Sequence, residues 1–375
     1  MRTKFTELTG VEHPLVAFNR SPAVVVEASR AGALGVLAAT AYTPTELDAQ
    51  LSWIEEQLDG APYGVDLLVP EAKVEVDRAR LVESLRAQIP QEHLDFVAEL
   101  MNKYDIPPLP EGTLLHDGTT TDASVVTQLL EVCFSHDIKL IANALGTPPP
   151  GMIGPAKEKG VPVASLVGQR KHAERQLAVG VDILVAQGYE AGGHTGDIAT
   201  MILTPEIVDM AGDVPVLAAG GIASGRQLAA ALALGAAGGW AGSVWLSTQE
   251  DVANSVIKDK FLAATSSDTE RNKTRTGKPA RQLLSKWHAE WAAAGAPPTL
   301  PMPLQPMLTL EAWARIDAAA EQGHPGAVEL ESFFVGQVVG SFTQIRTTAE
   351  VVRDLVQGCE QRLRDLAELL PVGSR

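Results

Sequence analysis

The stretch VPVLAAGGIASGRQLAAALALGAAGGWAGS, residues 214–243, decides the fold. It opens on an apolar run, VPVLAA, and breaks at Gly220-Gly221. It then crosses a helix-length segment rich in Ala and Leu and closes on a second short run, GGWAG. Strand, glycine turn, helix and strand in that order make one βαβ unit of a parallel sheet. The same alternation recurs upstream, in PLVAF from Pro14, GVL from Gly35, YGVDLL from Tyr63, KLIANA from Lys139, VPVASLV from Val161 and DILVAQ from Asp182. Several of these runs are apolar at consecutive positions, as strands covered on both faces require. Eight βα units predict an α/β fold of the closed (β/α)8 TIM-barrel type rather than an open doubly wound sheet. Helix starts fall between the strands. Thr43-Pro44-Thr45-Glu46 combines a Thr cap, a Pro at the first helical position and a Glu three residues on, a capping box.

Two segments exceed what the repeat needs. Residues 71–135 and 245–375 are mostly helical in pattern, with Pro-rich breaks at Pro107-Pro108-Leu109-Pro110 and in APPTLPMPLQP, residues 296–306. The expected organisation is a barrel from residues 1–70 and 136–244. A helical subdomain from residues 71–135 and 245–375 would cover the active site.

Thirty basic and 46 acidic side chains give a net charge of −16. No basic stripe offsets it, which argues against a nucleic-acid or anionic membrane partner. A small anion remains compatible, because backbone N–H groups bind phosphate without net positive charge. The only cysteines, Cys133 and Cys359, have no metal-ligand or disulfide spacing, and read as free thiols. The start, MRTKFTELTG, lacks the apolar core of an export signal, so the expected location is the cytoplasm. The apolar faces of the long helical tail would suit a homodimer.

In a βα barrel the active site lies at the carboxyl ends of the strands. Three loops there are unusual: AQGYEAGGHTGD (186–197), AAGGIASGRQ (218–227) and GWAGS (239–243). Gly220 and Gly221 precede a helix, where bare backbone can approach an anion, and Gly242 and Ser243 add an N–H and a hydroxyl one unit later. Tight turns alone would explain a single Gly-Gly pair. The coincidence of both loops at the usual phosphate position of this fold favours a ligand. His194 follows Ala191-Gly192-Gly193, and its imidazole is suited to proton transfer or to holding an oxyanion near neutral pH. Gln187 could hydrogen-bond a heteroaromatic ring or serve as a structural amide. No His/carboxylate cluster has the spacing of metal ligands.

These residues resemble the nitronate monooxygenase family, FMN-dependent barrel enzymes. AQGYEAGGHTG matches that family's signature loop. PLVAFNRSPAVVVEASRAGALGVL, YGVDLLVP, VPVLAAGGIASGRQLAAALALGA, GKPAR (277–281) and VGQVVG (335–340) resemble its other landmarks. The resemblance implies FMN as cofactor and His194 as the catalytic residue. It implies that Gln187 faces the flavin, that Ala17, Phe18 and Asn19 flank the ring, and that Gly192, Gly193, Gly220, Gly221, Gly242 and Ser243 hold the phosphate and ribityl chain. Asp66, Trp240 and Ala241 stand at further cofactor positions. Relatives commonly have Asn in place of Asp66, Gln-x-Gly-Thr in place of Trp240-Ala241-Gly242-Ser243, and a Pro-Met type turn in place of Phe18-Asn19. Asp for Asn removes two N–H donors and can add a negative charge beside the cofactor.

The implied reaction is oxidation of an alkyl nitronate by FMN and O2 to a carbonyl compound and nitrite, with His194 holding the anion. Similar EAGGH loops occur in flavin reductases of enoyl or cyclic CoA or ACP thioesters, which take electrons from NAD(P)H. A non-catalytic flavin-binding barrel is the third reading.

Overall fold

The computed structural model describes residues 1–40, 42–69, 78–113, 115, 123–144 and 146–370. The barrel begins with six parallel strands: β1 (Leu15–Asn19), β2 (Leu34–Ala38), β3 (Tyr63–Leu67), β4 (Leu140–Asn143), β5 (Val163–Val167) and β6 (Ile183–Gln187). A two-residue strand, β7 (Gly193–His194), interrupts the series. The barrel resumes with β8 (Val216–Ala219) and β9 (Gly238–Ala241), which closes onto β1. The eight expected barrel strands are therefore the eight observed.

Side chains alternate between two layers, as the two-residue period of a strand dictates. Val16, Val36, Leu140, Ala142, Ala164, Ile183, Val185, Leu217 and Trp240 fill the barrel interior, together with Phe5 of the short helix Lys4–Thr9. Their neighbours along each strand, among them Leu37, Val65, Ile141, Leu184 and Ala218, pack outward against the helices. Gly35 shows how closely those layers meet, since a Cβ there would stand 2.2 Å from the Val25 carbonyl oxygen of helix Pro22–Arg30.

The packing redistributes the helices of the expected subdomain. Helix Gln91–Lys103 joins a separate apolar cluster with Trp287, Trp291 and Trp313 of the C-terminal region. Helix Ala123–Ser135, however, lies in the barrel's outer layer beside helix Pro44–Leu58. Helix Thr348–Glu368 packs along helices Gly225–Ala233 and Pro22–Arg30. At that contact a Cβ on Gly225 would fall 2.3 Å from the Cys359 backbone nitrogen. Packing thus assigns 123–135 and 348–368 to the barrel wall. The C-terminal region also contains a hairpin, β10 (Thr269–Asn272) and β11 (Ala280–Leu283), where helix was expected. β11 pairs with β7, making a three-stranded antiparallel sheet outside the barrel. Among the described residues, no helix is long and apolar enough to cross a membrane.

Candidate active site

Strand parity separates the residues singled out in the sequence. Phe18, Asp66, Gln187 and Trp240 are in phase with the interior residues of their strands. Ala17, Asn19 and Ala241 are in phase with the outer layer. Phe18 and Trp240 meet with ring centroids 5.7 Å apart. Gln187 ends β6 half-buried, its amide without a partner among the described residues. Asn19 is occupied elsewhere: its Nδ2 donates to Asp251 (2.8 Å) and its Oδ1 accepts from the Ser21 N–H (2.6 Å). Asn19 therefore fixes the loop after β1, with one amide proton and one oxygen lone pair engaged by protein.

Asp66 is 1 % exposed, and its Oδ1 is buried with no hydrogen-bond partner. Burial pushes its carboxyl well above the ordinary range, which favours the neutral acid over the carboxylate. In that form it carries one O–H donor, where an asparagine would carry two N–H donors.

The glycines divide by what surrounds them. Gly220 (φ +96°) and Gly221 (φ +75°) follow β8 in left-handed backbone and lead toward helix Gly225–Ala233. Gly242 is loosely surrounded, a Cβ there meeting only Phe18, at ordinary contact distance from Cδ1 (3.7 Å). Gly193 (φ +72°) has nothing within 4 Å of that position. Gly192 instead makes room for protein, because a Cβ would stand 2.9 Å from the Gly336 nitrogen. That nitrogen donates to Ser243 Oγ (2.8 Å), leaving the Ser243 O–H available.

His194 lies on β7, opposite Ala280 of β11. Its Nε2 is 2.9 Å from Thr276 Oγ1. The Thr276 hydroxyl spends its one proton on the Lys278 carbonyl (3.0 Å), so His194 Nε2–H is the donor and Nδ1 holds the free lone pair. The residue is exposed, with the ring partly surrounded by protein. Burial, and then the Lys278 ammonium, hold its pKa below the ordinary histidine value. The Phe334 ring stands 6.4 Å away.

Thr276, Lys278 and Phe334 are functional neighbours that the sequence reading missed. The available signal was the Thr-Gly pair at 276–277 between two short strand-like runs, TERN and ARQL, which marks a hairpin. The tip is anchored by Gln305 Nε2 to the Thr274 carbonyl (2.7 Å) and by Thr309 Oγ1 to the Arg275 carbonyl (3.1 Å). Arg281, 1 % exposed, ties the same hairpin to the signature loop by donating to the Tyr189 carbonyl at 3.1 and 3.3 Å. Glu190 accepts from the Thr200 N–H at 3.0 Å, at the start of helix Thr200–Ala211.

The Phe18–Trp240 aromatic pair, an inward-facing buried carboxyl, the left-handed glycines after β8, where a Cβ would press against Thr200, Ala191 and Glu190, the loosely surrounded Gly242 after β9 and an oriented imidazole are compatible with a flat heteroaromatic cofactor with a phosphate tail. Together they define a flavin-type barrel oxidoreductase. The family model for nitronate monooxygenase matches residues 2–358, and the chain belongs to that family of flavin-dependent oxidoreductases. It is 48 % identical over 360 residues to a supposed monooxygenase of Mycobacterium tuberculosis, covering 95 % of this chain and 96 % of that one. It is 31 % identical over 287 residues to a Rhodococcus jostii dehydrogenase of a hydroxy-methyl-oxo-octahydroindene-carboxyl-CoA, covering 76 % of this chain and 66 % of that one. A nitroalkane oxidase from Streptomyces ansochromogenes shares the fold with a TM-score of 0.77 at 24 % identity, covering 96 % of this chain and 99 % of that one.

Proposed function

We propose that the protein is an FMN-dependent nitronate monooxygenase, oxidising alkyl nitronates with O2 to a carbonyl compound and nitrite. The observation that carries this reading is the oriented His194, whose only committed proton is on Nε2. Bound FMN would supply the electron transfer and the reaction with oxygen. Gly220, Gly221, Gly242 and the Ser243 hydroxyl would hold its phosphate end, and Gln187, Asp66, Phe18 and Trp240 would border its ring.

The protein's own contribution is proton placement. In the neutral ring, Nδ1 accepts a proton from solvent or from the α-carbon of the parent nitroalkane. The resulting imidazolium holds the nitronate oxygen by a charge-assisted hydrogen bond. Donation to the anion therefore requires this protonation first, since the neutral ring's N–H already serves Thr276.

The 31 % identity to a CoA-ester dehydrogenase favours a second reading, reduction or oxidation of an acyl thioester with a nicotinamide partner. Anaerobic stopped-flow mixing separates the two. Bleaching of the bound flavin by ethyl nitronate, with no comparable bleaching by NADH, supports the monooxygenase. Rapid bleaching by NADH alone contradicts it.

A further inference from the structure

The outer sheet sets two arginines directly opposite each other. Arg271 of β10 and Arg281 of β11 are cross-strand partners, and like charges in that register weaken a sheet. Arg281 is 1 % exposed and spends its donors on the Tyr189 carbonyl and on Thr269, with no carboxylate at ion-pair distance among the described residues. A local rule broken in this way points to a compensating role.

That role is visible in what the two side chains hold. Both guanidinium groups stand over the Tyr189 ring, Arg271 at 5.0 Å and Arg281 at 4.6 Å from its centroid. Arg281 grips the entry of the His194 loop at the Tyr189 carbonyl. Arg271 grips its exit: Nη2 donates to the Thr195 carbonyl (3.0 Å) and Nη1 to the Asp197 carboxylate. Thr195 follows His194 directly, so the second grip lies on the residue next to the imidazole. The loop needs holding. It carries Gly188, Gly192, Gly193 and Gly196, the residue type that loses most freedom on ordering. Its strand β7 offers only two residues to β11, too few to fix such a loop by backbone pairing alone. Arg271 is suited to the task, since its side chain is 12 % exposed and its planar fork reaches the carbonyl, the carboxylate and the ring together. A lysine ammonium is a point charge on a flexible stem and lacks that fork.

We propose that Arg271 and Arg281 are positioning residues that clamp the two ends of the His194 loop and thereby hold the imidazole against Thr276, leaving Nδ1 free for the reaction. Neither arginine has to touch a reacting atom. Their effect passes through the loop. This rests on the reading of His194 as the reacting group and names what keeps it in place.

The test is Arg271→Lys, read first in the 1H–15N correlation spectrum of protein labelled with 15N-histidine, the His194 signal being assigned by its loss in His194→Asn. The wild type should show His194 as one tautomer with its proton on Nε2. Arg271→Lys should show a signal averaged between tautomers, while kcat with ethyl nitronate falls about tenfold or more at unchanged flavin content, the scale of one hydrogen bond to a charged group. Arg271 stands on the edge strand of the outer sheet, and Arg271→Gln, read in the same way, covers the case in which the lysine variant does not fold. A His194 signal already averaged in the wild type, or one left unchanged in a folded variant, overturns the proposal. So does a changed signal with kcat unmoved, because the clamp would then have no bearing on the reaction. A wild type that shows the single tautomer, loses it in Arg271→Lys and yet oxidises no nitronate would keep the clamp and contradict the monooxygenase reading instead.

Discussion

Thr276 shows what a single side chain contributes to the site. Its hydroxyl donates to the Lys278 carbonyl and accepts from His194, which places the free imidazole lone pair on Nδ1. Thr276→Val should keep the volume, remove the acceptor and lower kcat about fivefold to tenfold, the scale of one hydrogen bond. Steady-state kinetics at constant flavin content checks this, and an unchanged kcat would contradict the assigned tautomer. Asp66 gives a prediction in pH. Its folded pKa is raised by burial, so its contribution to stability is complete below the unfolded value of about 3.9 and is lost as pH rises above it. Asp66→Asn should therefore melt higher than the wild type at about pH 8, with the gap closing toward pH 4. A pH-independent gap in scanning calorimetry would show that Asp66 is not a neutral acid. His194 and Gln187 were legible in the sequence because the loop AQGYEAGGHTG and the end of its strand are local features. Thr276 was not, because it lies 82 residues from His194 and meets it only through strand pairing. Gly192 was read as room for a ligand, yet the space beside it is filled by Val335 and Gly336.

At the scale of elements, the barrel strands were legible because each is a continuous apolar run bounded by turn residues. The outer sheet was not. β7 has two residues, and β10 and β11 are short and largely polar, so no hydrophobic period announces them. They nevertheless position the proposed catalytic histidine, since β11 holds β7 in register and the hairpin tip carries Thr276, the partner of His194, between Arg275 and Lys278. Gly277 is the weak point of that tip. Its φ is +76°, and a Cβ would approach the Leu300 carbonyl oxygen to 2.5 Å. Gly277→Ala should cost about 1–3 kcal/mol of backbone strain, more with the clash, and reduce turnover by displacing Thr276. Chemical denaturation with parallel activity assays checks both effects, and wild-type values for both would remove the hairpin from the mechanism.

For the whole molecule, length and pattern gave a barrel with two helical surpluses. The division of those surpluses followed from packing that no local pattern encodes. Helix Thr348–Glu368 completes the barrel wall against Gly225, while Gln91–Lys103 joins the tryptophan cluster of the C-terminal region. The architecture separates two tasks. The barrel's own strands and glycine turns supply the proposed flavin cradle, and the outer sheet delivers and orients His194. Flavin retention and turnover should therefore be separable by one substitution. In His194→Asn, the ratio of flavin to protein absorbance should match the wild type, while nitronate turnover per bound flavin falls by about a hundredfold or more. Loss of flavin from that variant, with wild-type turnover per flavin retained, would contradict the account.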